Sequence, residues 1–379
     1  MIRRPVIAFV SDAILPYHHG GKEVRIRQMT QRIADSADVH VYTMKWWDGP
    51  SVRREGGITY HAVSRRFPLY VKGRRSLRQA VLFALACLKL FTCRFDVLEA
   101  DHIPYAQLFV LRLVTRVRGK RLVATWHEVW GREYWREYIG PVGLLAWWAE
   151  WLAARMPDRI IAVSPETAER LRAITGSKVW ITVAPNGVDL EAISAVPQES
   201  VGTDLVVVGR LLSHKRIDLL LEAIALLHAH GSPVTCRVVG DGPERTALQE
   251  RAQALGVAGA VDFRHDVAEE KEVYELVKSA RVCAFPSARE GFGLAVLEAL
   301  ACGLAVVTTS APDNMARHLV VRSQRGTVCE PTVTAFAEAL KGALDRFPAT
   351  PNGGREAEAW LSEYSASAMA ERVREALLS

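Results

Sequence analysis

The sequence predicts an α/β protein with two domains, each a parallel sheet flanked by helices. The chain has 379 residues, which allows two domains with a large core in each. In both halves, short apolar runs alternate with helical patterns, as expected for parallel strands joined by crossover helices. The alternation is interrupted after the turn Pro185-Asn186-Gly187. We therefore predict a first domain over residues 1–186 and a second domain over residues 187–364.

The first half opens with a strand, a long turn and a helix. The apolar run Val6–Val10 predicts the strand, and the pattern from Glu23 to Ile33 predicts the helix. Gly20 and Gly21 precede this helix and leave its N-terminus open to a ligand, although the spacing is not the GxGxxG of a dinucleotide site. The later strands of this half are predicted at Val39–Met44, Val97–Ala100, Arg121–Trp126 and Arg159–Val163.

His127 directly follows the predicted strand Arg121–Trp126 and has Glu128 beside it. A lone histidine is more often structural than functional. Open parallel sheets, however, bind their ligands at the carboxyl ends of their strands. We therefore predict that the imidazole of His127 hydrogen-bonds a ligand at this edge.

Six of the ten tryptophans lie between Trp126 and Trp151. Aromatic side chains at helical spacing most often belong to a core, and we predict that role for Trp147, Trp148 and Trp151. The alternatives are a membrane-facing surface beside basic residues or an aromatic wall for an acceptor.

The second half restarts the alternation, and two of its loops carry candidate ligands. Arg210 and Lys215 follow the strand Asp204–Val208, where an arginine can grip a phosphate through two hydrogen bonds and a lysine adds a point charge. The second loop, Gly240-Asp241-Gly242-Pro243, follows the strand Val234–Val239.

The stretch from Arg281 to Thr309 reads as strand, loop, helix and strand, with the helix over Leu294–Ala301. Glu290 lies in the glycine-containing loop and Glu298 lies in the helix. The helix N-terminus favours an anion, and carboxylates suit hydroxyl-rich groups beside it. A phosphorylated sugar offers both kinds of group.

The two halves differ in charge. Residues 1–189 hold 29 Lys and Arg against 17 Asp and Glu, a balance of +12, and residues 190–379 hold 19 against 25, a balance of −6. A basic half suits an anionic membrane surface, a phosphorylated substrate or nucleic acid. A nucleic-acid binder would be expected to carry its basic excess as a clustered patch with exposed aromatic residues, and we expect no nucleic-acid partner.

Composition and the length of the apolar segments bear on whether the protein spans a membrane, contains disulfides or a metal, or is secreted. The longest apolar segments, Gln79–Cys93 and Leu144–Met156, fall short of the roughly 20 residues that a spanning helix needs. The six cysteines are scattered without a CxxC pair, so we expect reduced thiols and no metal site. The start of the chain lacks a signal-peptide core. We expect a cytoplasmic protein, with possible peripheral contact at the inner membrane face.

Taken together, these motifs resemble glycosyltransferase family 4, whose members are retaining nucleotide-sugar enzymes of the GT-B fold. The matching segments, in chain order, are Gly20-Gly21, His127, Pro185-Asn186-Gly187-Val188-Asp189, Gly209-Arg210 with Lys215, Gly240-Asp241-Gly242-Pro243, and Glu290-Gly291-Phe292-Gly293 with Glu298. Glu290 and Glu298 have the spacing of the family's E-x7-E signature.

The resemblance implies two Rossmann-like doubly wound domains that face each other across a cleft. The N-terminal domain would bind the acceptor, the C-terminal domain would bind the sugar nucleotide, and a last helix over about 365–379 would pack back on the first domain. The implied reaction moves a hexose-type sugar from a UDP- or GDP-sugar to an acceptor hydroxyl with retention. No metal or other cofactor is expected.

The resemblance also implies residue roles. Arg210 and Lys215 would neutralise the diphosphate, Glu290 would hold the donor sugar, Glu298 would hold the ribose, and His127 would contact the sugar near the reacting carbon. The catalytic set is thus His127, Arg210, Lys215 and Glu290. Backbone amides and a loop for the base would complete donor binding, from Gly20, Gly21, Phe292, Gly293, Leu294 and the segment 263–267 that contains His265.

Several alternatives stay open from the sequence. The acceptor is either a lipid-linked or cell-envelope glycan, or a small soluble aglycone. Another GT-B enzyme, such as a sugar-nucleotide epimerase, shares the motifs, and so does a non-catalytic protein that binds sugar nucleotides. No carboxylate can be assigned as a covalent nucleophile.

Overall fold

The computed structural model describes residues 3–71, 74–197, 202–267, 269–347 and 355–379. The chain divides into two compact units, one of residues 1–187 with 366–379 and the other of residues 188–365. Each unit is built on its own parallel sheet. Within the described ranges, no helix is both long enough and apolar enough to cross a bilayer.

The first unit contains an eight-stranded sheet with the strand order β10-β9-β8-β7-β1-β2-β4-β3. Its larger strands are β1 (Val6–Val10), β2 (Asp38–Met44), β3 (Val52–Glu55), β4 (Ile58–Ser64), β7 (Val97–Asp101), β8 (Arg121–Trp126), β9 (Arg159–Ala162) and β10 (Trp180–Val183). Two short strands, β5 (Tyr70–Val71) and β6 (Arg74–Arg75), pair with each other. The helices are α1 (Gly21–Ile33), α2 (Leu77–Ala86), α3 (Tyr105–Val117), α4 (Gly131–Ile139), α5 (Gly143–Ala153) and α6 (Pro165–Thr175), with α15 (Ala366–Leu378) from the C-terminus.

One edge of this sheet departs from the parallel pattern. β3 runs antiparallel to β4, with Glu55 opposite Ile58, whereas the other pairs in the sheet are parallel. The turn between them is Gly56-Gly57, and both glycines have positive φ, as a tight hairpin requires. The charged sequence of β3 suits an exposed edge, where an antiparallel strand can be added.

The helices of the first unit form two layers. α2, α3 and α5 lie in the successive crossovers between β4, β7, β8 and β9, and right-handed crossovers that advance in one direction place their helices on one face of the sheet. Contacts between α2 and α3 and between α3 and α5 agree with this placement. On the other side, α15 packs against α1, and Arg159 donates a hydrogen bond of 2.6 Å to the carbonyl of Ala376.

The expected core role of the tryptophans on α5 is wrong. Trp148 is 46% exposed, and Trp147 and Trp151 are only half-buried. The helix instead turns Glu150 inward, because four groups donate to its carboxylate: the amides of Trp130 and Gly131, the Tyr105 hydroxyl and the Trp135 indole, all at 2.8–3.1 Å. A carboxylate with four donors fixes which face is buried, and Trp148 lies on the opposite, exposed side.

The second unit contains a six-stranded parallel sheet with the order β13-β12-β11-β14-β16-β18. These strands are β11 (Thr203–Val208), β12 (Cys236–Val239), β13 (Val261–Arg264), β14 (Ala280–Phe285), β16 (Ala305–Thr309) and β18 (Gly326–Cys329). The helices are α7 (Leu190–Ala195), α8 (Ile217–Ala229), α9 (Arg245–Ala254), α10 (Glu270–Lys278), α11 (Leu294–Ala301), α12 (Ala316–Ser323), α13 (Val333–Arg346) and α14 (Arg355–Ser362).

The predicted helix Leu294–Ala301 is confirmed as α11, and the apolar run after it forms β16. Glu290 does not lie in an irregular loop. It belongs to the two-residue strand β15 (Arg289–Glu290), which pairs in parallel with β17 (Asp313–Asn314). The amide of Met315 also donates to the carbonyl of Glu290 at 2.9 Å. This pairing fixes the backbone that carries the Glu290 carboxylate.

Candidate functional site

The candidate site in the second unit begins at the carboxyl ends of two neighbouring strands. β11 and β14 pair with Val206 opposite Cys283, so the loops that follow them emerge side by side. The first loop carries Gly209, Arg210 and Lys215, and the second carries Ser287. These four residues and the ring of Phe285 line one small cavity at this edge of the sheet.

Lys215 and Glu290 form an ion pair in this site. The Lys215 ammonium contacts Glu290 Oε1, and the Ser287 hydroxyl donates to the same oxygen at 3.1 Å. The ammonium also lies 5.1 Å from the centre of the Phe285 ring. Both charged side chains are less than one-fifth exposed. The two predicted catalytic residues therefore sit together, and their charges are poorly screened by water.

His214 shows that the cations around this pair form a cluster. Burial, together with the charges of Arg289, Lys215 and Arg210, lowers the pKa of His214 to about 3. The imidazole is therefore neutral at pH 7, and the charges of three cationic side chains act on it. The Ala288 amide donates to the carbonyl of His214 at 2.8 Å and joins the two loops. Such a cluster can hold a dianionic phosphate group.

Gly240 and Gly242 serve packing in this structure. A Cβ on Gly240 would lie 2.1 Å from the Gly209 carbonyl oxygen, and a Cβ on Gly242 would lie 2.3 Å from the Leu211 carbonyl oxygen. Any side chain would push the loop after β12 away from the loop after β11. The two glycines thus let the Arg210 loop rest directly on its neighbour.

The N-terminus of α11 is closely packed against α12. Gly293 caps α11 with φ +93°, and a Cβ there would lie 2.3 Å from the Cβ of Ala316. Phe292 is buried, and the helix begins at Leu294 beside the Glu290 strand. The first amides of α11 follow Glu290 by four residues in the chain and lie at the positive end of the helix dipole.

Replacing Gly293 by alanine is expected to destabilise the second unit by about 2–4 kcal/mol, because a left-handed conformation and an overlap with Ala316 add their costs. Chemical denaturation followed by circular dichroism measures the change. Gly342→Ala is the matched control: Gly342 lies inside α13 with open space around its Cβ position, so alanine should be neutral or slightly stabilising. Equal stability of the two variants would contradict this packing.

Glu298 lies in a different environment from Glu290. Burial, together with the nearby Glu270 carboxylate, raises the pKa of Glu298 to about 8. Burial and then the charge of Glu298 raise the pKa of Tyr274, whose hydroxyl donates to Glu270 at 2.7 Å. His265, which follows β13, is exposed. A carboxyl in the environment of Glu298 needs a hydrogen-bonding partner, such as a ribose hydroxyl, to ionise readily.

The raised pKa of Glu298 predicts a pH dependence of stability. The folded protein keeps a proton on Glu298 between the ordinary pKa of 4.5 and about 8, whereas the unfolded chain releases it. This group therefore lowers the free energy of unfolding as pH rises from 5 to 8, by up to about 1.4 kcal/mol per pH unit. Below about pH 6.5 the lowered pKa values of His61, His102 and His214 act in the opposite direction, so a net fall is expected between pH 7 and 8. Denaturant titrations at several pH values measure this slope.

Glu298→Gln should flatten that slope without abolishing it. Burial and the Asp101 charge also raise the pKa of Glu99 to about 8, and this second group keeps its contribution. Glu338→Gln on the exposed face of α13 is the control and should keep the full slope. A Glu298→Gln variant with an unchanged slope would contradict the assignment.

The first unit carries a buried charged network at the carboxyl ends of β1, β7 and β8. Lys22 on α1 contacts Asp12 at 2.7 Å and Asp101 at 3.5 Å. His127 Nε2 lies 3.1 Å from the other Asp101 oxygen. Burial opposes ionisation of both aspartates, but Lys22 holds the pKa of each below its usual value, with help from Arg75 at Asp12 and from His127 at Asp101. The predicted ligand His127 thus lies at one end of a network that runs through Asp101 and Lys22 to Asp12.

The loop at Gly20 and Gly21 lies at the start of α1. Gly20 is the N-cap residue with an extended backbone, and no side chain among the described residues caps the helix there. A Cβ on Gly20 would lie 2.6 Å from a Glu23 carboxylate oxygen. The start of α1 therefore leaves backbone amides without a side-chain cap from the described residues, while the adjacent Lys22 is already paired with Asp12 and Asp101.

Sequence reasoning missed Asp12, Lys22, Asp101 and Arg289. The rule that identified His127, a polar residue directly after a buried strand, would also have found Asp12 after β1 and Asp101 at the end of β7. Lys22 and Arg289 gave no such signal, because their partners come from distant segments. In the described part of the chain, no group of three His, Cys, Asp or Glu residues is arranged to hold a metal ion.

Comparison with known proteins identifies the family. The profile described as Glycosyltransferase Family 4 matches residues 19–192, and the one described as Glycosyl transferases group 1 matches residues 194–350. A human subunit of phosphatidylinositol N-acetylglucosaminyltransferase is 30% identical over 349 residues, which are 89% of this chain and 68% of that protein. The chain belongs to glycosyltransferase family 4. Membership confirms the resemblance drawn from the motifs.

A second relative matches over a shorter part of the chain. The GDP-mannose-dependent α-(1-6)-phosphatidylinositol dimannoside mannosyltransferase of Mycobacterium tuberculosis is 31% identical over 142 residues, 38% of this chain and 35% of that protein. Its match to this family 4 chain covers a part of each protein only.

Solved structures confirm the GT-B fold. The sucrose-phosphate synthase of Thermosynechococcus elongatus superposes with a TM-score of 0.80 at 18% identity over 98% of both chains. The Anabaena protein HepE, in complex with UDP-glucose, superposes with a TM-score of 0.73 at 20% identity over 99% of both chains. This family 4 chain thus has two Rossmann-like domains, as its motifs predict.

Proposed function

We propose that this family 4 protein transfers a hexose-type sugar from a nucleoside-diphosphate sugar to an acceptor hydroxyl, with retention of anomeric configuration. The observation that carries the proposal is the ion pair of Lys215 and Glu290, with Arg210 lining the same small cavity as Lys215. A cation cluster suits a diphosphate, and a carboxylate beside it suits the hydroxyls of the attached sugar. One site therefore offers complementary groups to both halves of the donor.

The cations supply what the bond-breaking step requires. As the bond between the anomeric carbon and the phosphate oxygen breaks, negative charge grows on the diphosphate, and Arg210 and Lys215 stabilise it. The amides at the start of α11 add positive potential. We propose that no metal ion is needed, so transfer should persist in the presence of a chelator.

Retention needs the new bond on the face that the leaving group occupied. We propose that the leaving phosphate oxygen accepts the proton of the acceptor hydroxyl while the acceptor oxygen bonds to the anomeric carbon. Glu290 is a poor candidate for a covalent nucleophile, because Lys215 and Ser287 already bind one of its oxygens. Its proposed role is to orient the donor sugar. In the first unit, His127 would contact the sugar near the reacting carbon, in the orientation set by Asp101.

The relatives favour a donor and an acceptor class. The names of the human and mycobacterial relatives specify phosphatidylinositol-based acceptors, and the mycobacterial name specifies GDP-mannose. We propose a GDP- or UDP-sugar as the donor and a phosphate-bearing, lipid-linked acceptor at the inner membrane face. The basic balance of residues 1–189 supports an anionic acceptor.

Thermal-shift screening against nucleoside diphosphates and their sugars tests donor binding, since a ligand of the folded state raises the melting temperature. A labelled donor, incubated with and without phosphatidylinositol, then tests transfer. Labelled lipid supports the proposal. A changed sugar in the absence of acceptor indicates an epimerase, and a thermal shift without any product indicates a binding protein.

A further inference from the structure

Large apolar side chains are exposed on one helical face of the first unit. In the described part of the chain, nineteen large apolar residues are exposed, and twelve of them lie on α2, α3, α5 and the short turns next to α2 and α5. These helices pack side by side on one face of the sheet. The outer surface of this layer, hereafter the α2–α3–α5 face, is the subject of the proposal.

On α2 and the turn that follows, the exposed residues are Leu77, Val81, Leu85 and Leu88. Their spacing of four, four and three residues places them in one stripe along a helix. Leu77 is 78% exposed, although leucine is usually buried. The stripe therefore faces outward along its whole length.

α3 and α5 continue the apolar surface. α3 exposes Phe109, Leu113 and Val117 at a spacing of four residues. α5 exposes Leu145 and Trp148, because the buried Glu150 turns that side of the helix outward. Exposed apolar side chains clustered on adjacent helices of a globular domain indicate a docking site.

Charge identifies the partner. Residues 56–95 and 102–127 contain no Asp or Glu, and the one carboxylate of α5, Glu150, is buried and hydrogen-bonded. The same segments expose Arg78, Lys89 and Arg116 among the apolar residues. Two copies of this face would bring cations against cations. An anionic lipid surface is complementary to both its apolar and its basic groups.

A basic pocket lies at the N-terminal end of the α2 stripe. It has a volume of about 270 Å³ and is lined by Arg65, Arg66, Phe67, Pro68, Arg78 and Gln79, with Ser76 at the helix cap. Its size and its three guanidinium groups suit the phosphate of a lipid headgroup. Leu77 is adjacent in sequence and could enter the acyl region beside that headgroup.

The pocket is connected to the candidate site of the same unit. Gln79 lines the pocket and also donates to Asp12 Oδ2 at 3.1 Å, and Arg75 pairs with that oxygen at 3.2 Å. Asp12 in turn binds Lys22. The docking surface is therefore continuous with the charged network that contains His127.

We propose that the α2–α3–α5 face docks on an anionic lipid bilayer and that the pocket of Arg65, Arg66 and Arg78 binds a lipid phosphate. The apolar stripes enter the interface, and the basic side chains extend to the headgroups. Docking requires no particular donor or acceptor, so it can be tested independently of the proposed reaction.

Vesicle flotation of the full chain tests the proposal, with phosphatidylcholine vesicles that do or do not contain phosphatidylglycerol. The wild-type protein should float with the anionic vesicles and less so at high salt, because salt screens the basic residues. Leu77→Gln with Leu85→Gln and Leu113→Gln should weaken binding at least about tenfold, since three apolar side chains no longer enter the interface. Arg65→Glu with Arg66→Glu and Arg78→Glu should weaken it about fivefold or more for each cation lost.

Matched controls change the same residue types elsewhere. Val52→Gln with Trp180→Gln and Val321→Gln alters three other exposed apolar residues, and Lys271→Glu with Lys341→Glu and Arg346→Glu makes the same change in net charge. Both controls should float like the wild type. The rise in melting temperature caused by a nucleoside diphosphate, recorded without vesicles, should be the same for all variants. If the proposed function is wrong, this rise is absent, whereas flotation is unaffected.

Three outcomes would overturn the proposal. Binding that is equal with and without phosphatidylglycerol would exclude an anionic lipid. Full flotation of both triple variants would exclude this face. Self-association of the wild type in sedimentation experiments, abolished by the leucine triple variant, would show that a second copy covers the face instead.

Discussion

Replacing Lys215 by alanine is expected to lower kcat/KM for sugar transfer about a thousandfold, because one preorganised cation is lost at the growing charge of the diphosphate. The Lys215 ammonium lies between Glu290 and the Phe285 ring, with less than one-fifth of the side chain exposed. At this position its charge acts through a poorly screened medium. Steady-state kinetics with a labelled nucleotide sugar measures the change.

The same variant should also bind nucleoside diphosphate more weakly, so the ligand-induced rise in melting temperature should shrink. The melting temperature without ligand should change little, since Glu290 keeps its hydrogen bond from Ser287 and some exposure to water. Lys341→Ala is the matched control, because that lysine is exposed on α13 and pairs along its own helix with Asp345. Transfer by folded Lys215→Ala at a rate close to that of the control would refute the role of Lys215.

Replacing Glu290 by glutamine is expected to lower kcat about 100- to 1,000-fold, because the amide keeps the shape of the side chain but loses the charge that orients the sugar hydroxyls. Unlike Lys215→Ala, this variant should retain nucleoside-diphosphate binding. In Glu290→Gln, Lys215 is no longer neutralised by a carboxylate and remains available to bind the phosphates. Thermal shifts with the nucleoside diphosphate alone and with the sugar nucleotide separate the two contributions.

Comparing Lys215→Ala with Glu290→Gln tests the site more specifically than either variant alone. Loss of both binding and transfer in Lys215→Ala, with loss of transfer alone in Glu290→Gln, assigns the lysine to the diphosphate and the carboxylate to the sugar. Glu338→Gln, exposed on α13, controls for the loss of a carboxylate. If Glu290→Gln abolished nucleoside-diphosphate binding as well, its carboxylate would serve to position Lys215 rather than to hold the sugar.

The sequence predicted a large part of the fold because its signals are local. Apolar runs and helical periodicity gave the order of strands and helices, and α11 has the predicted bounds Leu294–Ala301. The motifs and their order resemble those of glycosyltransferase family 4, and the comparisons with known proteins confirm that resemblance. Gly293 illustrates the link: its left-handed backbone and its contact with α12 both require the glycine that the motif contains.

The sequence by itself determined the α/β class, the two sheets, the family and the residues that form the Lys215–Glu290 pair. Only the tertiary structure decided that the charge of Arg289 acts on His214 with those of Arg210 and Lys215, that Lys22 links Asp12 to Asp101, and that α5 buries Glu150 and exposes Trp148. The physical reason is that periodicity specifies which element forms, whereas the buried face of a helix and the pairing of a charge depend on donors and acceptors from distant segments. The orientation of α5 follows the four hydrogen-bond donors to Glu150 rather than the apolar pattern around it. Those donors lie on other segments, so the sequence of α5 does not reveal them.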